Sequence, residues 1–297
     1  EVGYDPNEIS LEEARKIDPR YEVDDIVETE VTPRNFGRIA AQNAKQVVVQ
    51  RIREAERGMV FEKFSSREND IVTGIIQRME NKNVYIDLGK AEAILTPNEQ
   101  IPGEIYQYHD RMKTYIVEVK KTSKGPQIMV SRTHPGLLKR LFELEVPEIH
   151  DGLVEIKSVA REPGMRSKIS VYTKDENIDP VGACVGHKGM RVQTIVNELR
   201  GEKIDIVKYS SEPDQYVANA LSPAKVVSTE VLEEEKICRV IVPDYQLSLA
   251  IGKEGQNARL AAKLTGWKID IKSESQAAEE AEQGAQEVGV AYEADED

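Results

Sequence analysis

The sequence contains two copies of one pattern. The first copy includes the segment Val185-Gly186-His187-Lys188-Gly189, and the second includes Ile251-Gly252-Lys253-Glu254-Gly255. Each segment opens an amphipathic run that ends in Lys-Ile-Asp-Ile, at residues 203–206 and 268–271. Because the two copies keep nearly the same internal spacing, they predict two successive domains of one architecture.

Both copies place two glycines three residues apart in a turn between two predicted helices. Glycine at these positions leaves room for the backbone of a nucleic acid, because no side chain blocks its approach. Apolar periodicity around each turn predicts the order strand, strand, helix, turn, helix, strand. The pattern indicates RNA binding; the alternative is that the two turns only join helices tightly.

The composition favours several small domains. Of the 297 residues, 39% are hydrophobic and 31% are charged, which suits small cores better than one large core. No apolar run reaches the roughly 18 residues of a membrane span, and no signal peptide opens the sequence. The two cysteines lie far apart and outside any Cys-x-x-Cys motif, as expected in a reducing compartment. We therefore expect a cytoplasmic protein without membrane contact.

The sequence shows no pattern typical of an enzyme. None of the four histidines lies in a His-Glu-x-x-His motif, and neither a Gly-x-x-x-x-Gly-Lys phosphate loop nor a nucleophile elbow is present. The carboxylates occur in hydrophilic runs such as Glu233 to Glu235 rather than in pairs flanked by apolar residues. We therefore expect no catalytic activity, no cofactor and no metal.

The net charge of −13 is distributed unevenly. Residues 274–297 hold nine acidic side chains and no basic one, and this segment is predicted to be a disordered acidic tail. The rest of the chain is only mildly acidic. We expect it to bind RNA through local basic patches rather than through a global positive field.

A long amphipathic helix is predicted from Phe36 to Gly58, because apolar residues recur there at spacings of three and four. Its other sides carry basic residues, among them Arg38, Lys45, Arg51 and Arg53. The helix either packs on its own domain with a solvated basic face or docks on a large partner.

Five short β-rich runs separated by turn residues follow this helix and favour a small oligonucleotide-binding barrel. Strand alternation places Tyr85, Lys113 and Tyr115 on the outside. The two tyrosines can then stack on bases, for about 1–3 kcal/mol each, while Lys113 and Arg132 supply positive charge. For Tyr85, a contact with a neighbouring domain is the alternative.

The element order of each copy resembles the bacterial type of KH domain, with an aliphatic residue before each first glycine. The resemblance implies that residues 186–189 (the first clamp) and 252–255 (the second clamp) each hold the backbone of about four nucleotides. The residues it assigns to RNA are Gly186, His187, Lys188, Gly189 and Arg191, and Gly252, Lys253, Glu254, Gly255 and Arg259. Glu254 either points away from the RNA or accepts a hydrogen bond from a base or a ribose hydroxyl.

The predicted barrel resembles an S1 domain, and one S1 domain followed by two KH domains narrows the resemblance. With the basic helix in front, and with Val-Pro-Asp-Tyr-Gln-Leu-Ser-Leu-Ala-Ile-Gly-Lys-Glu-Gly over residues 242–255, the chain resembles the NusA family of bacterial transcription factors. The resemblance implies docking on RNA polymerase, contact with single-stranded nascent RNA, and modulation of pausing, termination and antitermination. Other antitermination factors are possible partners, and we expect a monomer.

The expected fold is α+β and multidomain. It comprises a partial N-terminal α/β polymerase-docking domain with the long helix (1–66), a five-stranded OB-type S1 barrel (67–133), a linker helix (134–150), two tandem type II KH domains (151–210 and 211–273) and the disordered acidic tail (274–297). The resemblance implies that the first domain is partial, because family members have more residues before the long helix. The alternative function is that of an accessory RNA-binding protein in RNA degradation or translation.

Overall fold

The computed structural model describes residues 8–28 and 36–282, and the chain divides into two compact units, residues 1–56 and residues 57–297. In the first unit, α1 (Leu11–Ile17) begins where the Ser10 hydroxyl accepts a hydrogen bond from the Glu13 N–H at 3.3 Å. This bond satisfies one of the N–H groups that a helix leaves free at its start.

Within the described ranges, no helix combines the length and the apolar character needed to cross a bilayer.

The long helix α2 (Phe36–Ser65) continues past Gly58, where the sequence predicts its end. Its last turns persist because Val60, Phe61 and Phe64 pack on the core of the following barrel, with Phe64 only 2% exposed. Burial of these side chains outweighs the roughly 1 kcal/mol that glycine costs inside a helix.

Five strands form a closed barrel in the order β1-β2-β3-β5-β4. They are β1 (Ile71–Glu80), β2 (Asn83–Asp87), β3 (Glu92–Leu95), β4 (Arg111–Thr122) and β5 (Gly125–Ser131). The inward side chains Ile76, Ile86 and Ile116 are fully buried and form the centre of an apolar core. The five-stranded barrel is therefore confirmed, and its closure removes the free sheet edges that would otherwise attract another strand.

The first repeat surrounds the first clamp. Its elements are α3 (Pro135–Glu145), α4 (Pro147–His150), β6 (Glu155–Glu162), β7 (Arg166–Tyr172), α5 (Pro180–Val185), α6 (Met190–Glu198) and β8 (Lys203–Lys208). The sheet has the order β6-β7-β8, in which β6 runs antiparallel and β8 parallel to β7. The helices cover one face of this sheet and form an apolar core with it.

The linker helix predicted for residues 134–150 belongs instead to the core of the first repeat. Leu137, Leu138 and Phe142 on α3 are fully buried, in one cluster with Ile169 and Cys184. Each such side chain contributes about 1.5–3 kcal/mol on burial, so α3 is a structural part of this domain. The prediction was wrong because flanking prolines mark the ends of a helix but do not show what it packs against.

The second repeat has the same sheet topology and the same element order, except that it has no counterpart of α4. Its elements are α7 (Pro213–Ala220), β9 (Ser228–Leu232), β10 (Ile237–Val242), α8 (Leu247–Ile251), α9 (Gln256–Thr265) and β11 (Lys268–Ser273). The α+β multidomain fold with two tandem repeats is thus confirmed.

Residues 274–282 are helical, whereas the composition predicts disorder from residue 274 onward. The Ser275 hydroxyl donates to Oδ2 of Asp244 at 2.5 Å, and Lys272 pairs with Glu280 at 2.5 Å. These contacts hold residues 274–282 on the second repeat. The acidic composition of the segment could not predict them, because composition carries no information about which residues meet. Residues 283–297 lie outside the described residues.

Candidate nucleic-acid interface

The two clamps have nearly the same backbone conformation. Gly186 has φ 75° and ψ 176°, and Gly252 has φ 78° and ψ 171°. The third residue of each clamp also has positive φ, at 52° for Lys188 and 53° for Glu254. The repeat in the sequence is therefore a repeat of one tight turn that joins two helices.

Packing as well as backbone geometry requires glycine at the first position of each clamp. A Cβ atom on Gly186 would lie 2.6 Å from Cγ of Arg191, and one on Gly252 would lie 2.7 Å from the backbone N of Asn257. Both distances are far below the 3.5–4.0 Å at which non-bonded carbon atoms normally meet. Positive φ adds a further penalty for any residue with a Cβ atom.

The middle residues of both clamps face solvent. The side chains of His187, Lys188, Lys253 and Glu254 are all exposed. Among the ion pairs of the described residues, those nearest the clamps involve Arg191 and Arg259, not Lys188 or Lys253. The ammonium groups of Lys188 and Lys253 can therefore bind an anion without first breaking an ion pair within the described residues. Whether Glu254 points away from the RNA or accepts a hydrogen bond from it stays a prediction.

Arg191, predicted to reach the RNA backbone, is held inside its own domain. Its Nη1 donates to the Glu148 carboxylate at 2.8 Å and to the Ala183 carbonyl at 2.6 Å. The side chain thus ties α4, α5 and α6 together behind the first clamp. Its predicted RNA contact is not supported by this geometry.

Arg259, the corresponding prediction in the second repeat, bridges the two repeats. Its Nε donates to Oε1 of Glu162 on β6 at 2.6 Å, and its Nη1 donates to the Glu254 carbonyl at 3.1 Å. The hydrogen bond from Arg259 lowers the pKa of Glu162, so the carboxylate stays charged. The Arg259 guanidinium therefore stabilises the second clamp through the Glu254 carbonyl, and the Glu162 carboxylate neutralises part of its charge.

Tyr115, predicted as an exposed stacking residue, is only 6% exposed. Its ring stacks on His134 with 4.4 Å between centroids and 8° between planes, and its hydroxyl donates to Asn69 at 3.1 Å. A Cβ atom on Gly136 would lie 2.5 Å from the ring, so α3 covers this side of the barrel closely. The prediction was wrong because alternation separates the two faces of a strand but does not show which face another element covers.

Lys113 and Arg132, predicted to attract phosphates, lie in the joint between the barrel and the first repeat. Arg132 is fully buried; it pairs with Glu104 and donates to the carbonyls of Lys113 at 2.9 Å and Glu198 at 3.0 Å. The Nζ of Lys113 donates to the Glu198 carboxylate at 3.1 Å. A buried arginine needs such partners for its charge, and Arg132 is therefore unable to meet RNA.

Tyr85 lies half-buried on the barrel surface. The Cζ of Arg78 lies 3.8 Å from the centroid of its ring, and Arg78 pairs in turn with Glu92 at 2.8 Å and Glu80 at 2.6 Å. These contacts all lie within the barrel. Stacking of a base on this tyrosine–arginine surface stays a prediction.

The basic residues of α2 in the first unit are exposed. They are Arg38, Lys45, Arg51 and Arg53, of which Arg51 pairs with Glu54 at 3.3 Å. The apolar side chains Ile39, Val47 and Ile52 on the same helix are more than half exposed as well. Both faces of the helix are therefore accessible in the part of the chain that the structure describes.

The sequence analysis did not identify the carboxylates that pair with the basic residues it assigned to RNA binding. They are Glu104, Glu148, Glu162 and Glu198. Each lies far along the chain from at least one of its partners, and pairs of this kind leave no periodic signal in a sequence.

Within the described residues, no cluster of three or more His, Cys, Asp or Glu side chains is arranged to hold a metal ion.

Comparison with known families matches four successive parts of the chain. The matches are the NusA N-terminal domain (1–58), the S1 RNA binding domain (65–131), the NusA-like first KH domain (132–209) and the NusA-like second KH domain (213–279). The match to the first KH domain begins before α3, in agreement with the position of this helix in the core of that domain.

Three similar relatives are each named transcription termination/antitermination protein NusA. The relative from Halalkalibacterium halodurans is 71% identical over 272 residues, which cover 92% of this chain and 71% of the relative. The Bacillus subtilis relative is 70% identical over 272 residues, with 92% and 73% covered. The Thermus thermophilus relative is 47% identical over 267 residues, with 89% and 69% covered. With these identities, and with an S1 barrel and two KH domains in the same order, the chain belongs to the NusA family.

Proposed function

We propose that this chain binds single-stranded nascent RNA while it is associated with RNA polymerase, and so modulates transcriptional pausing, termination and antitermination. One observation carries the proposal: two clamps of nearly identical conformation lie in a chain whose relatives are named transcription termination/antitermination proteins. The proposal includes no catalytic step. It places the protein in the cytoplasm, as a monomer, with other antitermination factors as further candidate partners.

Each clamp holds the RNA backbone through two kinds of contact. The backbone N–H groups of the turn donate to phosphate oxygens, and the exposed Lys188 or Lys253 adds a charge-assisted hydrogen bond. The first clamp, with His187 beside Lys188, is the more basic of the two. The second carries Glu254 next to Lys253 and is therefore the weaker electrostatic site.

The barrel has a smaller role in RNA binding than the sequence suggests. Tyr115 and Arg132 are buried and Lys113 is engaged by Glu198, so these residues position the barrel against the first KH domain. The surface formed by Tyr85 and Arg78 remains for stacking of a base.

Docking on polymerase is assigned to residues 1–58, the part that matches the NusA N-terminal domain. The exposed apolar side chains of α2 support this assignment, because large accessible apolar surfaces commonly mark protein interfaces. The exposed basic residues Arg38, Lys45, Arg51 and Arg53 would add electrostatic complementarity to an acidic partner surface. Docking raises the local concentration of RNA near the clamps, so that modules of low intrinsic affinity bind with useful avidity.

The decisive experiment compares two double variants in RNA-binding titrations at several salt concentrations. Lys188→Asp with Lys253→Asp reverses one charge in each clamp and is expected to abolish measurable affinity for single-stranded RNA. Lys82→Asp with Lys236→Asp makes the same charge change at two exposed turn lysines outside the clamps. Equal losses in both variants would show a general charge effect and would contradict the clamp assignment.

Two further measurements separate the proposed function from its alternative in RNA degradation or translation. The proposal expects the protein to co-purify with RNA polymerase rather than with ribosomes, and this association to be lost when residues 1–58 are removed. It also expects purified protein to leave RNA intact. Phosphate-dependent or hydrolytic degradation of RNA by the purified chain would contradict the proposal.

A further inference from the structure

The outer face of the first KH sheet is covered by the second KH domain. Ala160 and Val207 on this face belong to the apolar core of the second domain rather than to that of their own. Beside them, Lys168 is fully buried, and its Nζ donates to the Ser222 carbonyl after α7 at 2.8 Å and to the Asp205 carboxylate at 3.0 Å. The first sheet is therefore packed on both faces.

The second KH sheet has an equivalent outer face that is far more exposed. Strand pairing gives the correspondence: Lys168 lies opposite Asp205 of the first Lys-Ile-Asp-Ile, and Arg239 lies opposite Asp270 of the second. The Lys168 side chain is 0% exposed, whereas that of Arg239 is 52% exposed and pairs with Glu230 at 3.3 Å. The surface that carries a whole domain in the first repeat thus carries little in the described part of the second.

Residues 274–282 cover part of this outer face. They follow β11 along the chain as α7 follows β8 in the first repeat. Lys272, which corresponds to Val207, pairs with Glu280 of this helical segment at 2.5 Å. The segment is therefore the counterpart of α7. Among the described residues there is no counterpart of α9, the helix that packs on β6 and β7.

A groove of about 450 Å³ lies beside the helical segment, over β9 and β10. Its sheet side includes Ser228, Arg239 and Ile241, and its helix side includes Ala277 and Ala281. Charged side chains of both signs complete the lining. A segment that fits this groove must therefore combine apolar side chains with charge.

The residues that follow the helical segment have this composition. Val288, Val290 and Tyr292 are apolar at alternate positions, which lie on one side of an extended chain. Residues 283–297 also hold five carboxylates and no basic side chain. The outward positions of the sheet have the opposite net charge, since three cations face outward with two carboxylates: Arg239, Lys268 and Lys272, and Glu230 and Asp270.

The groove is also within easy reach of this acidic stretch. The described part of the chain ends at Glu282, next to Ala281 in the groove lining. At about 3.3 Å per residue, the next 15 residues span up to about 50 Å when extended. Reach therefore places no limit on contact with β9 and β10.

We propose that residues 283–297 bind in this groove, with Val288, Val290 and Tyr292 against β9 and β10 and the carboxylates near Arg239. Together with residues 274–282, they cap the sheet face that carries the next domain in the first repeat. Stacked repeats need such a cap, because the last one otherwise exposes a face made for packing. The second clamp lies on the other side of the sheet, with α8 and α9, and is left free. The inference goes beyond the RNA-binding function and does not depend on it.

The test measures how fast a cysteine in the groove reacts with a maleimide. Cys184 and Cys238 are fully buried, so the unchanged protein gives the background rate. Ser228→Cys places a thiol in the groove wall, and it is expected to react several-fold more slowly in the full chain than after removal of residues 283–297. Ser123→Cys, in an exposed turn of the barrel, is the matched control and should react at the same rate in both.

Substitutions in the full chain test the register. Val288→Asp with Val290→Asp should speed the reaction of Ser228→Cys to that of the shortened chain, because charged side chains are costly in an apolar contact. Gln283→Asp with Ala285→Asp adds the same charge outside the alternating apolar set and should leave the thiol protected. Thermal unfolding of each variant checks that the fold is intact.

Three results would overturn the proposal. The first is an equal reaction rate of Ser228→Cys with and without residues 283–297. The second is protection that grows with protein concentration, which would assign the groove to a second copy of the chain. The third is protection that arises only when a single-stranded RNA of randomised sequence is added, which would assign the groove to nucleic acid.

Discussion

Arg259 in the second KH domain donates a hydrogen bond of 2.6 Å from Nε to Oε1 of Glu162 in the first KH domain. Gln256 donates to the other oxygen of the same carboxylate at 2.9 Å. The contact between the two KH domains thus lies directly behind the second clamp. It includes Arg259, which the family resemblance assigns to RNA binding.

We predict that Glu162→Gln strengthens RNA binding severalfold at low salt, because the amide can still accept from Arg259 but no longer neutralises the charge of the guanidinium beside the clamp. The gain should shrink as salt rises, since exposed charges are screened. The free energy of unfolding should fall by no more than about 1 kcal/mol, as for other partly exposed ion pairs. Fluorescence anisotropy titrations at two salt concentrations measure the effect. Glu233→Gln, which removes an exposed carboxylate from a turn, is the control, and an equal gain there would contradict the explanation.

Arg132→Met is predicted to destabilise the protein by about 3–5 kcal/mol, because it leaves the Glu104 carboxylate buried without its main partner. Urea unfolding measures the loss. Combining it with Glu104→Gln should recover part of the loss, since no buried charge then remains. Arg78→Met removes an ion pair that is about half exposed and should cost no more than about 1 kcal/mol. A small effect of Arg132→Met would show that this side chain is not buried in solution.

The stability of the first KH domain should depend on pH through Asp205. Burial alone would raise the pKa of this carboxyl group, but hydrogen bonds from Arg166 at 2.7 Å and Lys168 at 3.0 Å lower it below its ordinary value of 3.8. A carboxylate with a lowered folded pKa stabilises the fold above its unfolded pKa, and the contribution is lost as pH falls through the folded value. Asp205→Asn should therefore reduce stability at neutral pH and flatten its decline below about pH 4.

Thermal unfolding as a function of pH measures this difference. Asp151→Asn, which alters an exposed carboxylate in the same domain, should leave the decline in acid unchanged. An Asp205→Asn protein with an unaltered acid transition would show that other groups govern the loss of stability.

Two glycine-to-alanine substitutions are predicted to have opposite effects. Gly58→Ala places a Cβ atom on α2 that meets nothing within 4 Å beyond its chain neighbours and the backbone of its own helix, and it should stabilise the helix by about 0.5–1 kcal/mol. Gly136→Ala places its Cβ atom 2.5 Å from the Tyr115 ring and should destabilise the joint between the barrel and the first KH domain by about 1–3 kcal/mol. Denaturant unfolding of the pair measures both changes. Equal effects would show that the ring of Tyr115 moves aside freely.

The repeat, the order of its elements and the position of both clamps were predictable from the sequence. Glycines three residues apart, prolines at helix starts and the apolar period of strands and helices are signals carried by neighbouring residues. The same is true of the number of barrel strands, because turn residues separate the five β-rich runs in the sequence. Local signals were insufficient where contacts between distant residues decide the outcome, as where Phe64 carries α2 past Gly58 or where α3 joins the core of the first KH domain.

The sequence by itself thus determined the architecture of this chain and the position of its two glycine turns, because both follow from local backbone preference. Only the tertiary structure decided which exposed-looking side chains are accessible. Tyr115 on β4 and Arg132 just after β5 lie where the first KH domain covers the outside of the barrel, and Arg259 meets a carboxylate 97 residues away along the chain. Such contacts join segments with no common periodicity, so the charge or ring of a residue cannot show whether protein or solvent lies beside it.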